Sequence, residues 1–243
     1  MRIRFLGTGA SGGTPGRGRS LRRESSALVA EGLRVLIDVT RDFAEQQREI
    51  QGLDAVLLTH AHRDASGGLS ALRAWWRERS EVPLPVYASA ATIAALRRRI
   101  RLVDHCDFNE VTAGRRRRLG PLTVTALTVP HARERRYPTF AWKLSAGGAT
   151  LVYASDVARL TPELERFAAG ASLLVIDGAM WGRSLFSHLT IDAELPRLCG
   201  WRVERILLTQ IGKTVPRHDQ LVGDAVQLCE KAAPAFDGME LRL

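Results

Sequence analysis

Two histidines and an aspartate stand at alternate positions in the stretch LLTHAHRDASGG, as His60, His62 and Asp64. They follow an apolar run that is typical of a buried strand and that would end at the edge of a sheet. In an extended or loop continuation, alternate side chains point the same way, so these three groups would face one point. Imidazole nitrogens and carboxylate oxygens are ligands for zinc and similar cations. The spacing therefore indicates a metal site at a sheet edge.

The elements that would position these groups alternate along the chain. Short apolar runs bounded by Gly, Pro or Asp predict strands, and they are RIRFLG, SALVA, RVLID, AVLLTH, LTVTALTV, FAWKLS, TLVYASD, SLLVID and RILLTQ. Apolar residues at helical spacing predict helices, in RDFAEQQREI, GLSALRAWWRER, ATIAALRRRI, TPELERFAAG, TIDAELPRLC and DQLVGDAVQLCEKA. Thr161 and Thr190 resemble helix N-caps. So many buried strands favour mixed sheets with helices outside them, and we expect one domain over residues 1–243.

The composition is that of a globular protein, with 45% hydrophobic and 25% charged residues. No apolar run approaches the roughly 20 residues that cross a bilayer, and no secretory signal is evident, which predicts a cytoplasmic protein without a membrane partner. Cys106, Cys199 and Cys229 are widely separated and form no CxxC pair. This spacing predicts reduced thiols rather than a disulfide framework or a thiolate zinc site.

The formal net charge is +9, and arginine carries nearly all of the positive charge. The guanidinium group binds phosphate oxygens in a bidentate way, so an arginine surplus favours phosphate-bearing partners. The runs Arg115–Arg118 and Arg97–Arg99, the latter with Arg101, are candidate phosphate patches. A compositional preference for arginine, spread over a solvated surface, explains the charge equally well.

Taken together, these motifs resemble the metallo-β-lactamase superfamily of hydrolases, whose hallmark is His-x-His-x-Asp-His at the end of a strand. Further segments extend the resemblance over nearly the whole chain. MRIRFLGTGASGG and VLIDVTRDFAEQ look like the opening of the branch that includes cyclic-phosphate phosphodiesterases and transfer-RNA 3′-processing endonucleases. The implied fold is a four-layer αβ/βα sandwich, in which two mixed sheets pack face to face with helices outside and a metal at one edge.

The resemblance also assigns site residues. LTVPHA presents His131 where the family has its third histidine ligand, and LVYASD presents Asp156 where the family has the aspartate that bridges two metals. FSHLTIDAEL resembles the segment whose histidine, here His188, helps to protonate the leaving group. LLTQIGKTVPRHDQL resembles the segment of the final histidine ligand, which falls at Gln210 in this chain.

Two departures from the family pattern affect the expected metal content. The last histidine of the hallmark falls at Ala65, and the final histidine ligand falls at Gln210. Both would belong to the second metal position, with Asp64 and Asp156. The first position is intact, with His60, His62, His131 and Asp156. We therefore expect one divalent cation, zinc with manganese and iron as alternatives, and a weak or absent second site.

The resemblance implies a metal-dependent phosphodiesterase that acts on a small cyclic or nucleotide-like phosphate through a metal-bound water. Asp64 would accept the proton of that water or orient it. His188 would act as general acid and Asp177 would orient its imidazole, although Asp177 also fits a loop cap. Substrate phosphate would contact Lys213, His218 and Gln210, and an ordinary surface position is the alternative for His218.

Two other functions stay open. A nuclease of the same fold would bind nucleic acid, but it would need a long substrate-gripping arm, and no such insertion is evident. A non-catalytic binding protein would explain Ala65 and Gln210, whereas the intact histidines argue against it. The sequence also leaves open whether the protein forms a homodimer.

Overall fold

The computed structural model describes residues 1–99, 105–132 and 138–243, so Arg101 of the predicted phosphate patch lies outside the described residues. Its strands form two seven-stranded sheets. The strands are β1 (Arg2–Gly7), β2 (Ser26–Ala30), β3 (Arg34–Ile37), β4 (Ala55–Leu57), β5 (Leu84–Ala88), β6 (Cys106–Glu110), β7 (Arg116–Leu119), β8 (Leu122–Val129), β9 (Thr139–Ala146), β10 (Ala149–Ala154), β11 (Leu173–Asp177), β12 (Ile206–Thr209), β13 (Ala232–Pro234) and β14 (Glu240–Arg242).

Helices separate many of these strands. They are α1 (Phe43–Gln46), α2 (Arg63–Ser66), α3 (Leu69–Arg77), α4 (Ala90–Arg99), α5 (Pro162–Ala168), α6 (Ile191–Cys199) and α7 (His218–Leu228), with 3₁₀ turns at Gly18–Ser20 and Gln47–Glu49. None of the helices in the described ranges is both long and apolar enough to cross a membrane.

Both sheets are mixed. The first has the order β14-β1-β2-β3-β4-β5-β6, with antiparallel pairing from β14 to β3 and parallel pairing from β3 to β6. The second has the order β13-β12-β11-β10-β9-β8-β7, parallel from β13 to β10 and antiparallel from β10 to β7. Because β8, β10, β11 and β12 run in one direction, their carboxyl ends lie at the same sheet edge.

Side-chain alternation divides the apolar residues into three layers. In β10, Leu151 and Tyr153 belong to the core between the sheets, whereas Val152 and Ala154 face the outer core. The outer core of the second sheet includes residues of α5, α6 and α7, and that of the first sheet includes residues of α1, α3 and α4. Period-two alternation on a sheet covered on both faces produces this arrangement. The predicted αβ/βα sandwich is confirmed.

Every run predicted as a strand contains one, but β5, β6, β7, β13 and β14 were not predicted. β6, β7 and β14 are largely exposed, so their residues lack the apolar pattern. The predicted phosphate patch Arg115–Arg118 therefore falls largely on an edge strand. The Thr161 hydroxyl caps α5 by accepting the Leu164 N–H. Thr190 is the N-cap residue of α6, as predicted, but its side chain makes no capping hydrogen bond and its hydroxyl donates to the Arg183 carbonyl.

Candidate metal centre

The strand ends at one edge of the sandwich deliver the chemically active side chains. A hydrogen bond joins the two sheets there, from the Phe140 N–H at the start of β9 to the Thr59 carbonyl beyond β4, at 2.9 Å. The residues that follow or end the converging strands are His60 and His62 after β4, His131 after β8, Asp156 after β10, Asp177 at the end of β11 and Gln210 after β12.

The segment between β4 and α3 does not continue as a strand. β4 ends at Leu57, His62 is the last extended residue, and α2 begins at Arg63. Asp64 therefore lies in a helical turn, and the simple alternation that predicted its direction is wrong for this residue. The two histidines still converge, because the backbone stays extended at His62.

Three imidazoles meet at this edge. One nitrogen from each of His60, His62 and His131 lies within 4.8 Å of the others. Their ring centroids are 4.5 Å apart for His60 and His62, 5.1 Å for His60 and His131, and 5.4 Å for His62 and His131. Asp156 and His188 form a second such group with His131. Asp64 belongs to neither of these groups.

A hydrogen-bond relay sets the tautomer of His60. The Asp38 carboxylate accepts from the Thr59 hydroxyl at 2.9 Å, and that hydroxyl lies 2.9 Å from His60 Nδ1. Because the single hydroxyl proton goes to Asp38, Nδ1–H donates to Thr59 and the lone pair of His60 is left on Nε2. Nε2 is buried and has no hydrogen-bond partner within the described residues. Burial lowers the pKa of His60 to about 3, so this nitrogen is neutral near pH 7.

Hydrogen bonding fixes the same tautomer in His131 as in His60. His131 Nδ1 lies 2.7 Å from the Ser187 carbonyl, which can only accept, so Nε2 again carries the lone pair. His131 Nε2 is 3.9 Å from Asp156 Oδ1. Burial opposes the charge of Asp156, yet the neighbouring imidazoles keep its pKa well below the usual range. Buried lone pairs beside a buried carboxylate fit a divalent cation, which would satisfy all of them.

The carboxamide of Gln210 lies between the two aspartates. Its Nε2 is 2.8 Å from Asp156 Oδ1 and 3.4 Å from Asp64 Oδ2. Gln210 has a left-handed backbone, φ 57°, and its N–H donates to Ser25 Oγ at 2.8 Å. Burial and the charge of Asp156 raise the pKa of Asp64 to about 6. An amide donor thus occupies the side of the site where the sequence predicted a lost metal position.

His188 forms an ion pair at the rim of the site. Its Nδ1 is 2.7 Å from Asp177 Oδ2, and its ring centroid is 5.0 Å from that of His131. Burial alone would lower its pKa, but the Asp177 carboxylate outweighs burial and raises the pKa to about 9. Asp177 also accepts the backbone N–H groups of Val157 and Ala179. It therefore orients the imidazole and caps two loops at once.

The predicted phosphate ligands are not all brought to this cluster. Lys213 is exposed in the loop after Gln210. His218 is buried at the start of α7, where Nδ1 lies 3.0 Å from an Arg22 guanidinium nitrogen and the ring packs edge-on against Phe236. Its alternative assignment as an ordinary surface histidine is wrong.

Three supporting residues were not predicted. Thr59 and the Ser187 carbonyl orient the ligand histidines, as described above. Arg99 at the end of α4 donates to the Ala61 carbonyl at 2.8 Å and to Ser66 Oγ at 2.7 Å, so it braces the loop that carries His60 and His62. Thr59 stands next to His60 in the sequence, which is a usable signal. A backbone carbonyl such as that of Ser187 leaves no signal in the residue types.

Comparison with known proteins gives concordant results. A family model described as a beta-lactamase superfamily domain matches residues 33–216. Ribonuclease Z of Mycobacterium avium is 31% identical, over 72% of this chain and 69% of its own length. Octanoyltransferase of Porphyromonas gingivalis is 28% identical over 90% of this chain, but the match spans only 48% of that longer protein.

Solved structures share the same architecture. A diphosphatase from the PhnP family superposes with a TM-score of 0.87 at 22% identity, covering 100% of this chain and 97% of the other. Zinc-bound PqqB from Methylobacterium extorquens gives 0.85 at 23% identity, covering 100% of both chains. These two structural similarities establish the fold, whereas the family model and the ribonuclease Z relative establish the family. The chain belongs to the metallo-β-lactamase superfamily, in the branch that includes ribonuclease Z.

Proposed function

We propose that this protein is a metal-dependent hydrolase of phosphodiester bonds that acts on a small cyclic or nucleotide-like phosphate. The observation that carries the proposal is the pair of buried imidazoles, His60 and His131, whose Nδ1 positions are both engaged by oxygen atoms. A nitrogen of each imidazole lies within 4.8 Å of the other, and His131 Nε2 is also 3.9 Å from Asp156 Oδ1. A divalent cation is the ligand that such a donor set fits.

Four side chains would hold the cation: His60, His62, His131 and Asp156. Three imidazoles and a carboxylate suit zinc, and manganese or iron also accept these ligands. When bound, such a cation acts as a Lewis acid and lowers the pKa of a coordinated water toward about 7. We propose one ion at this centre, because Gln210 supplies an amide donor to the carboxylates on the other side.

Asp64 is the proposed proton acceptor. Its pKa of about 6 leaves it ionised yet basic enough to take a proton near neutral pH. Gln210 Nε2 lies between Asp64 and Asp156, so the amide holds the two carboxylates in place. A proton delivered to Asp64 would also relieve the repulsion between these two acids.

His188 is the proposed general acid. Its pKa of about 9 keeps the imidazole protonated at neutral pH, and Nδ1–H is committed to Asp177. Nε2–H is therefore the proton that can move to a leaving oxygen. Asp177 is a positioning residue, because the hydrogen bonds described for its carboxylate go to His188 and to the backbone amides of Val157 and Ala179.

A phosphate substrate is supported by charge and by the relatives. The chain carries a net charge of +9, mostly from arginine, and Lys213 is exposed in the loop that follows Gln210. The PhnP-family neighbour is named a diphosphatase and the curated relative a ribonuclease. Bidentate arginine contacts suit a phosphate group better than an uncharged acyl substrate.

Hydrolysis of bis(p-nitrophenyl) phosphate tests the proposal directly. The chain loaded with zinc should hydrolyse the ester, and His62→Ala should lose both the activity and about one equivalent of metal, because a ligand is removed. His105→Asn is the matched control, since His105 lies outside the site and asparagine tolerates its left-handed backbone, φ 64°. Equal activity of the wild-type and His62→Ala proteins would overturn the proposal.

A nuclease is the second candidate, favoured by the 31% identity to ribonuclease Z. Binding of a generic single-stranded oligonucleotide at increasing salt separates the two. A nucleic-acid enzyme neutralises several phosphates and loses affinity steeply with salt, whereas a small-substrate enzyme shows a shallow slope.

A further inference from the structure

Two cysteines that are distant in sequence meet on the outer face of the second sheet. Cys199 is the last residue of α6, and Cys229 directly follows the last residue of α7. The two helices pack against each other, and their carboxyl ends meet where Cys199 and Cys229 place their sulfur atoms within 4.8 Å. Cys106 lies elsewhere, at the start of β6 in the other sheet. Spacing along the chain could not show this pairing.

Glu230 completes a compact cluster with the two thiols. One ligand atom from each of Cys199, Cys229 and Glu230 lies within 4.8 Å of the others. The Cys199 Sγ is 3.1 Å from Glu230 Oε2. Cys229 is buried, Cys199 is half-buried and Glu230 is exposed. The cluster is therefore anchored in the core at Cys229 and accessible to solvent at Glu230.

The surroundings of the cluster favour a cation. Both helices end here, and the free carbonyl groups of a helix end carry partial negative charge. A thiophilic metal displaces the proton of a thiol and binds the thiolate.

The geometry points to a second metal site in this protein, formed by Cys199, Cys229 and Glu230 and selective for a thiophilic divalent cation such as zinc. On binding, each thiol releases one proton to solvent, and two thiolates and one carboxylate bind the ion. Bond lengths of about 2.3 Å to sulfur and 2.0 Å to oxygen place tetrahedral sulfur and oxygen ligands roughly 3.5–3.8 Å apart. Binding would therefore draw atoms that lie up to 4.8 Å apart together by about 1 Å at most. Cys199 Sγ and Glu230 Oε2 would move slightly apart from 3.1 Å.

Such an ion would clamp α6 to α7. Both helices cover the second sheet, and β11 and β12 of that sheet end at Asp177 and beside Gln210. The site stands outside the histidine centre and does not depend on the hydrolytic proposal. Its effect would be on the stability of the second sheet's helical layer, because an ion that binds only the folded chain stabilises it.

Cobalt(II) loading of the metal-free full chain tests the inference. Thiolate ligands give an intense sulfur-to-cobalt charge-transfer absorption, which imidazole and carboxylate ligands of the histidine centre do not produce. The wild-type chain should show this band and bind about one equivalent of cobalt more than Cys199→Ser. Cys229→Ser should also lack the band, whereas the matched control Cys106→Ser should retain it.

Two further measurements keep the test decisive if Cys229→Ser folds poorly. Glu230→Gln changes an exposed residue and should weaken cobalt binding while the band persists. Hydrolysis of bis(p-nitrophenyl) phosphate by zinc-loaded Cys199→Ser should equal that of the wild type. An absent band in the wild type, or a band unchanged in Cys199→Ser, would overturn the site. So would the loss of two titratable thiols without bound metal, which would indicate a disulfide between Cys199 and Cys229.

Discussion

The two halves of the histidine centre differ in how their buried polar atoms are satisfied. On one side, His60 and His131 each commit Nδ1 to an oxygen atom, and His60 Nε2 is buried with no hydrogen-bond partner within the described residues. On the other side, the Gln210 amide already donates to Asp156 and approaches Asp64. The buried lone pair of His60 therefore lacks a donor or cation among the described residues. The carboxylates on the other side already receive hydrogen bonds from the Gln210 amide.

For the single ion proposed at the histidines, this difference explains how a two-metal framework would become a one-metal site. Two buried carboxylates repel each other and need positive charge or donors between them. A neutral amide supplies donors without competing for the proposed ion. The oxygen of the same amide, Gln210 Oε1, is buried with no hydrogen-bond partner among the residues that the structure describes, which costs free energy.

Restoring histidine at positions 65 and 210 should produce the largest change in metal content. Ala65→His with Gln210→His replaces a methyl group and the amide with imidazoles beside Asp64 and Asp156, so the second half acquires ligands. We expect the double variant to bind about one more equivalent of zinc than the wild type, with an affinity gain of roughly 10³-fold or more for the second ion. Metal analysis after dialysis against a weak chelator measures this. Unchanged stoichiometry in a folded double variant would contradict the comparison.

The sequence predicts the histidine half of the site better than the carboxylate half. His60 and His62 are visible from their spacing, and His131, Asp156 and His188 follow from the family resemblance. The placement of the Gln210 amide depends on a left-handed backbone and on Ser25, which no local pattern encodes. The sequence identifies residue types that can bind a metal, but not the donors that already satisfy them.

Some strands of the fold are likewise easier to predict from the sequence than others. Apolar runs such as TLVYASD and SLLVID predict the central strands, because both faces of those strands are buried. The edge strand Arg116–Leu119 is exposed and charged, so only its pairing with β8 defines it. The cysteines are free thiols, as the sequence predicted, but their spacing could not show that two of them meet. Helix packing, rather than spacing, brings Cys199 to Cys229.

A smaller effect is expected from the relay behind His60. Thr59→Val removes the hydroxyl between His60 Nδ1 and Asp38, so the tautomer that exposes Nε2 is no longer fixed. Loss of such an outer partner typically costs about 10–100-fold in metal affinity. Zinc competition with a chromophoric chelator gives the affinity. Thr59→Ser should restore it, and Thr40→Val, which removes another buried hydroxyl that donates to Gln46 rather than to the relay, is the matched control.

If Thr59→Val and Thr40→Val lost affinity equally, the relay would have no specific role in presenting His60. If only Thr59→Val lost affinity, the histidine half would depend on its hydrogen bonds as well as on its ligand nitrogens. That result would sharpen the contrast with the carboxylate half, where the donor comes from Gln210 itself.

The smallest expected effect concerns His188 and Asp177 in the metal-free chain. The folded-state pKa of His188 is about 9, above the ordinary value of 6.5, so the folded state binds its proton more tightly than the unfolded state. This stabilisation is fully present below pH 6.5 and is lost as the pH rises through about 9, with an upper limit of about 3 kcal/mol.

Urea unfolding at pH 6 and pH 10 measures this stabilisation, with His188→Gln as the reference. The charge of His188 opposes the burial that raises the pKa of Asp177 and helps to keep the pKa of Asp156 low, so the difference between the two pH dependences reports the imidazole together with these carboxylates. A wild-type profile parallel to that of His188→Gln would mean that Asp177 does not hold a charged imidazole, and the general acid would have to be sought among the other rim groups.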